Sequence, residues 1–182
     1  MIDSRVIKAA SYFAAKKDIR SYLNGVWIES KDGVKTHVLA TDGGRMFAHT
    51  VEGIGRPVRL RLSGSTLAAV IASAYFHITD DLKVILPNDA ILPFDLDPGN
   101  YPDWRRVVPR GVSGESNIFP LSQMADVEKA FKALKVKPER YRIAFNGQSP
   151  SVITHLDIPE MLIVQTGFKP LKDLDIDYLG IL

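Results

Sequence analysis

The sequence predicts an α+β fold built from a repeated unit, in which a strand and a helix lead into several antiparallel strands, with the helices on one face of the sheets. Three observations point there. Short runs rich in β-branched and aromatic residues are bounded by Gly, Asp and Asn turns. Three separate stretches carry a helical apolar period. The order strand, helix, strands recurs three times at a spacing of roughly 55 to 60 residues, so the repeat is one of architecture rather than of sequence.

The first unit opens with a helix predicted over 4–16, where Ile7, Ala10 and Ala14 form the apolar stripe and Arg5, Lys8 and Lys16 fall off it. Strands are expected at 22–29, 35–41 and 45–50, separated by Asp32-Gly33 and by Asp42-Gly43-Gly44. In the second unit the alternation Val58-Arg59-Leu60-Arg61-Leu62 sets the apolar residues on one sheet face and both arginines on the other. Ser63 or Ser65 then caps the uncharged helix "TLAAVIASAY", and strands follow at 76–79, 83–86 and 90–94. The third unit has a leading strand at 117–120 and a helix over 121–135 with Leu121, Met124, Val127, Phe131 and Leu134 on one side. Its strands are expected at 140–146, 151–155 and 161–165. The Gly-, Ser- and Pro-rich stretch 109–116 has no apolar period. It divides the 182 residues into a two-unit domain over 1–110, a linker at 111–116, and a half domain with a C-terminal tail over 117–182.

A hydrophobic fraction of 46% with 24% charged residues is that of an ordinary globular protein. Without cysteine there is no disulfide framework, thiolate metal site or cysteine nucleophile, and a cytoplasmic setting is expected. No apolar run reaches a membrane span, and no leader pattern opens the chain. The net charge of +2 hides an uneven distribution. Residues 1–61 hold 11 Lys and Arg against 6 Asp and Glu, whereas 62–110 hold 4 against 6 and 111–182 hold 8 against 9. The positive excess therefore sits at the front.

No catalytic pattern emerges. His37, His49, His77 and His155 lie in or beside strands, without a second ligand at metal spacing. "SGST" at 63–66 lacks the nucleophile-elbow glycines and reads as a helix cap. "TDGGR" is far from a phosphate loop, and Asp80-Asp81 fits a solvated turn. No catalytic residue, metal or cofactor is assigned. Three segments stand out instead, "IRSYLNGVWIE" (19–29), "VLATDGGRMFA" (38–48) and "YPDWRRVVP" (101–109).

In order and spacing these resemble the middle domain of the bacterial DNA polymerase III β sliding clamp family. The family pattern R-Y/F-Y/F-L-N-G, then T-D-G-H-R-L, then F/Y-P-D-Y/W-x-R-V-x-P is matched by Arg20 to Gly25, Thr41 to Met46 and Tyr101 to Pro109. Residues 117–168 are similar to the closing half of the family's last domain, through "DVEKAFKALK", "SVI" and an apolar strand. Against the family's three domains, the first domain and half of the third have no counterpart, and the leading strand is shortened to Met1-Ile2-Asp3.

The resemblance implies a non-enzymatic protein of DNA replication, a processivity factor whose helices line a ring around duplex DNA. It assigns DNA contact to Arg5, Lys8, Lys16, Lys17, Arg20, Tyr22, Lys129 and Lys132, which would meet phosphates without reading bases. It assigns a hydrophobic cleft for short linear motifs of DNA polymerase or repair proteins to Leu23, Thr41, Gly43, Arg45, Met46 and Pro109, with a second wall at Ile163 and Val164. Gly44 and Met46 replace the family's histidine and leucine. The uncharged second helix is expected to pack on another chain or segment rather than face DNA. The family's ring has twelve helices, so three per chain implies a homo-oligomer of four chains. The run 174–182 could replace the shortened leading strand. The alternative function is a clamp-like interaction module or regulator that does not encircle DNA.

Overall fold

The computed structural model describes residues 1–96, 101 and 103–168. The first unit comprises β1 (Ile2–Asp3), α1 (Ser4–Ser11), β2 (Val26–Ser30), β3 (Lys35–Thr41) and β4 (Arg45–Glu52). The second comprises β5 (Val58–Leu62), α2 (Gly64–Ala72), β6 (Tyr75–Ile78), β7 (Val84–Ile85) and β8 (Ile91–Leu92), followed by β9 (Asp95–Leu96). The third comprises α3 (Leu121–Ala133), β10 (Tyr141–Ala144), β11 (Ser151–His155) and β12 (Ile158–Gln165).

The first two units exchange their leading strands. β1 pairs with β6 through Ile2↔Phe76, and β5 pairs with β2 from Val26↔Leu62 to Ser30↔Val58. This gives a four-stranded sheet, β1-β6-β7-β8, and an eight-stranded sheet, β10-β11-β12-β4-β3-β2-β5-β9. The third unit joins the larger sheet through β12, antiparallel to β4 from Met161↔His49 to Gln165↔Arg45. Its attachment is therefore a ladder of backbone hydrogen bonds as well as a linker.

The helices form one layer. Asp3 caps α1 by accepting from the Arg5 backbone N–H at 2.8 Å, and Val6, Ile7, Ala9 and Ala10 are buried while Arg5 and Lys8 face outward. The alanines let α1 pack closely against both α2 and α3. Beneath the layer lies a core of Val26, Ile28, Val38, Ala40, Phe47, Leu60, Leu62, Phe76, Phe131 and Ile163. The uncharged α2 finds its neighbour within the same chain, packing on α1 with Leu67, Val70 and Ile71 in this core.

β3, β5 and β11 coincide with the predicted spans, and other boundaries move for local reasons. α1 stops at Ser11 because the Phe13 N–H turns back to the Ala10 carbonyl at 2.9 Å and its ring enters the core, 5.6 Å from Phe47. The strand expected from residue 22 starts at Val26. The Asn24 amide bonds the Asp18 backbone at 2.8 and 2.7 Å, so Ser21–Leu23 curl into a 3-10 turn. Gly25 then passes so close to the Leu62 carbonyl, with φ of 151°, that a Cβ would sit 2.5 Å from that oxygen. The strand expected at 117–120 makes a single bridge, Ile118↔Phe168, and Pro120 precedes α3. β9 was not anticipated. The run 174–182 lies outside the described residues.

Candidate functional site

Strands β2, β3, β4 and β12 turn alternate side chains to opposite faces. On the face away from the helices, Trp27, Leu39, Met46, Ala48 and Val164 form a second apolar cluster closed by Tyr101. The Trp27 and Tyr101 rings lie 4.6 Å apart, and Trp27 Nε1 donates to the Tyr22 carbonyl at 2.7 Å, tying the 3-10 turn to the sheet. A second 3-10 turn, Trp104–Val107, capped by Asp103, folds beside the cluster.

Glu29 anchors that second turn. Only 3% exposed, it accepts from Arg105 Nη1 at 2.9 Å and from Arg59 Nη2 at 3.1 Å. Burial pushes its carboxyl up, but the two guanidiniums prevail and hold it below the usual carboxylate range. Arg105 also lies over the Trp104 ring at 4.5 Å, and His37 meets the edge of that ring at 5.2 Å. Trp104 Nε1 and Tyr101 Oη are buried without a hydrogen-bond partner among the described residues. Burial drives the Tyr101 phenol pKa upward, so it remains a neutral donor.

Between the two turns runs a cleft lined by Leu23, Thr41, Gly43 and Met46 from the sequence-predicted set, and by Arg20, Tyr22, Tyr101, Asp103, Trp104 and Val107. Gly43 has φ of 94°, a conformation that strains any larger residue, and its Cα side faces the Arg20 guanidinium, 3.2 Å from where a Cβ would stand. Asp18 steadies Arg20 at 2.9 Å, and that bond brings the Asp18 carboxyl down to about 2. The result is an apolar floor with a cationic and an anionic rim, suited to a peptide with an aliphatic or aromatic anchor.

Other expected cleft residues lie elsewhere. Val164 sits under the floor, in register with Met46. Ile163 points to the helix-side core, and Pro109 is half-buried outside the lining. Arg45 turns toward the helix layer, where its side chain is 9% exposed and bonds Asp42 at 2.9 Å and Asp126 at 3.1 Å, with its guanidinium 5.2 Å from the Phe13 ring centroid. It locks α3 to the first unit. Arg20 and Tyr22, expected on the DNA face, line the cleft. Tyr101, Asp103, Trp104 and Val107 all belong to the "YPDWRRVVP" segment, whose aromatic-Pro-Asp-aromatic spacing was the available signal.

On the helix side, the end of α1 and α3 enclose a polar hollow that brings Lys16 and Lys129 together with Asp42, Arg45 and Asp126. Lys129 is paired with Asp126 at 2.9 Å, Lys132 with Glu128, and Arg5 with Asp3. Lys8, Lys16 and Lys17 are exposed and have no carboxylate partner among the described residues. No group of three His, Asp or Glu suited to a metal occurs among the described residues, and no described helix is long and apolar enough to cross a membrane. His155 Nε2 contacts the Lys137 carbonyl at 2.8 Å, and His37 Nδ1 the Thr50 hydroxyl at 3.1 Å.

No family model matches the chain. Over 124 residues it is 29% identical to the β sliding clamp of Haemophilus influenzae, a match covering 60% of this chain and 32% of that protein. Among solved structures it is similar to the DNA polymerase sliding clamp of Pseudomonas aeruginosa (TM-score 0.69, 16% identity, 92% of this chain and 63% of that one). It is likewise similar to that of Bacillus subtilis (0.70, 13%, 93% and 64%). The polymerase III β subunit of Thermotoga maritima gives 0.71, 16%, 93% and 65%. The chain thus spans about a third of the curated relative and less than two thirds of the solved clamps. Two antiparallel sheets under one layer of helices, superposing on these clamps over nine tenths of the chain, give it the bacterial sliding-clamp fold.

Proposed function

We propose that this protein is a non-enzymatic, sliding-clamp-like factor of DNA replication or repair. It binds duplex DNA without sequence preference along the helix layer, and it tethers a polymerase or another protein through the cleft between the two 3-10 turns. The observation that carries this reading is the disposition of the two surfaces. The apolar cleft lies on one side of the sheet and Lys8 of α1 with Lys16 just after it on the other, so duplex and peptide are bound without competing. Several copies together encircle the duplex, and a cytoplasmic setting follows from the DNA partner.

Retention on DNA tests it. The protein should stay on nicked circular plasmid in salt that abolishes phosphate contacts, and should be lost when the circle is cut. Equal loss from circular and linear DNA refutes encirclement. A second reading, an interaction module that does not encircle DNA, is favoured by one specific observation: Arg5, Arg20, Lys129 and Lys132 already have carboxylate partners. That module would keep peptide binding while showing no topological retention.

A further inference from the structure

The first two units set a rule that the third leaves unfulfilled. The first strand after each helix is flanked on its outer side by the leading strand of the other unit: β2 by β5, and β6 by β1. In the third unit the corresponding strand is β10, which among the described residues pairs only with β11 and ends the eight-stranded sheet. Its leading segment, carrying Ile118 at 45% exposure, enters neither sheet. The helix layer is interrupted at the same place. Asp126 and Lys129 of α3 face the α1 side, while Leu121, Met124, Ala125 and Glu128 face away from it into an apolar groove completed by Phe131 and Tyr141. Leu121 is 86% exposed and Tyr141 41%.

We propose that a second copy of this chain fills this groove, the two third units pairing across a two-fold axis to complete one domain. Each α3 lies against its counterpart as α1 lies against α2, and each leading segment around Ile118 pairs with the partner's β10. Reciprocal exchange between two identical units is what an isologous contact requires, and it is continuous with the exchange already present inside the chain. The charge pattern fits self-association. Glu128 and Glu139 around the groove are balanced by Lys132 and Arg142, so two copies meet without net repulsion. Pairing also covers an otherwise open strand edge. The inference deepens the oligomeric part of the function proposed above but rests on the fold alone, independent of DNA or peptide binding.

The absence of cysteine makes the test direct, because a single introduced thiol reports only on its own symmetry mate. Ala125→Cys and Glu128→Cys, each alone in the full chain, should give covalent dimers on mild oxidation or with a short bis-maleimide. Light scattering should show an even multiple of the 20.2 kDa chain, halved by Leu121→Asp. Because Leu121 is 86% exposed within the single chain, that variant should keep the parental circular dichroism. A monomeric parent, or an oligomer that neither cross-links through these thiols nor responds to Leu121→Asp, overturns the proposal. Cross-linking confined to a mixture of Ile91→Cys and Arg142→Cys chains overturns it too, in favour of head-to-tail pairing of β8 with β10. Retention on circular DNA without α3 cross-links would sink this interface and leave the clamp reading standing.

Discussion

Replacing Lys8, Lys16 and Lys17 together by Gln should change the salt dependence of DNA binding more than replacing Arg5, Lys129 and Lys132 together. These three are exposed and lack a carboxylate partner, whereas Arg5, Lys129 and Lys132 would each have to leave one before meeting a phosphate. If each free lysine neutralises one phosphate, the slope of log K against log salt becomes shallower by about 2.7 per bound chain, at about 0.9 per contact. Between about 50 and 200 mM salt, that slope difference alone corresponds to a change of about 40-fold in relative affinity. Fluorescence anisotropy of a labelled duplex, titrated at four or five salt concentrations, measures the slope directly. Two sequences of unrelated composition should give the same change. A slope unaltered by the triple substitution, with the fold intact by circular dichroism, refutes the assignment of this face. A sequence-dependent change would refute the idea that only phosphates are contacted.

Trp104→Ala should weaken binding of a clamp-binding-motif peptide by about 2 kcal/mol, or about 30-fold in Kd, as for an aromatic at the centre of a cleft, measured by isothermal titration calorimetry. DNA binding by this variant should be unchanged. Arg45→Ala should lower unfolding stability by about 2 kcal/mol in urea, since it removes the nearly buried guanidinium that joins Asp42 to Asp126 of α3, leaving Asp126 with Lys129 alone. Glu29 and Asp126 have folded pKa values below their unfolded ones, so their contribution is complete above the ordinary carboxylate range and is lost as pH falls through the folded values. The melting temperature should accordingly drop on acidification, and Glu29→Gln should make that drop shallower.

Much of this architecture was legible because its signals are local. The strict alternation of β5 and the Asp-Gly turns around β3 fix those strands without help from the rest of the chain. Boundaries moved where distant or side-chain groups intervene. Asn24 reaching the Asp18 backbone, and Phe13 finding Phe47, are contacts that no period in a window of residues reveals. The cleft was legible in part for the same reason. Leu23, Thr41, Gly43 and Met46 could be placed from their motifs, but Arg45 follows Gly44 into a turn whose carboxylate, Asp42, directs it to the helix side. Trp104 gains its position from Glu29, 75 residues earlier, through Arg105. Arg20 illustrates the limit of charge as a guide: a basic residue in a loop reads as a phosphate ligand until Asp18 is seen to hold it at the rim of a cleft.

Met46 and Phe47 are neighbours on β4, one forming the floor of the cleft and the other supporting Phe13 at the end of α1. The partition between the two surfaces is therefore a single strand, and backbone displacement on one side is displacement on the other. Variation at the cleft is free to alter side-chain volume but not to move the strand, because that would uncover the core beneath the lysine-bearing helix. Under the function proposed above, peptide preference should thus diversify through the Trp104–Val107 turn, which belongs to one surface only.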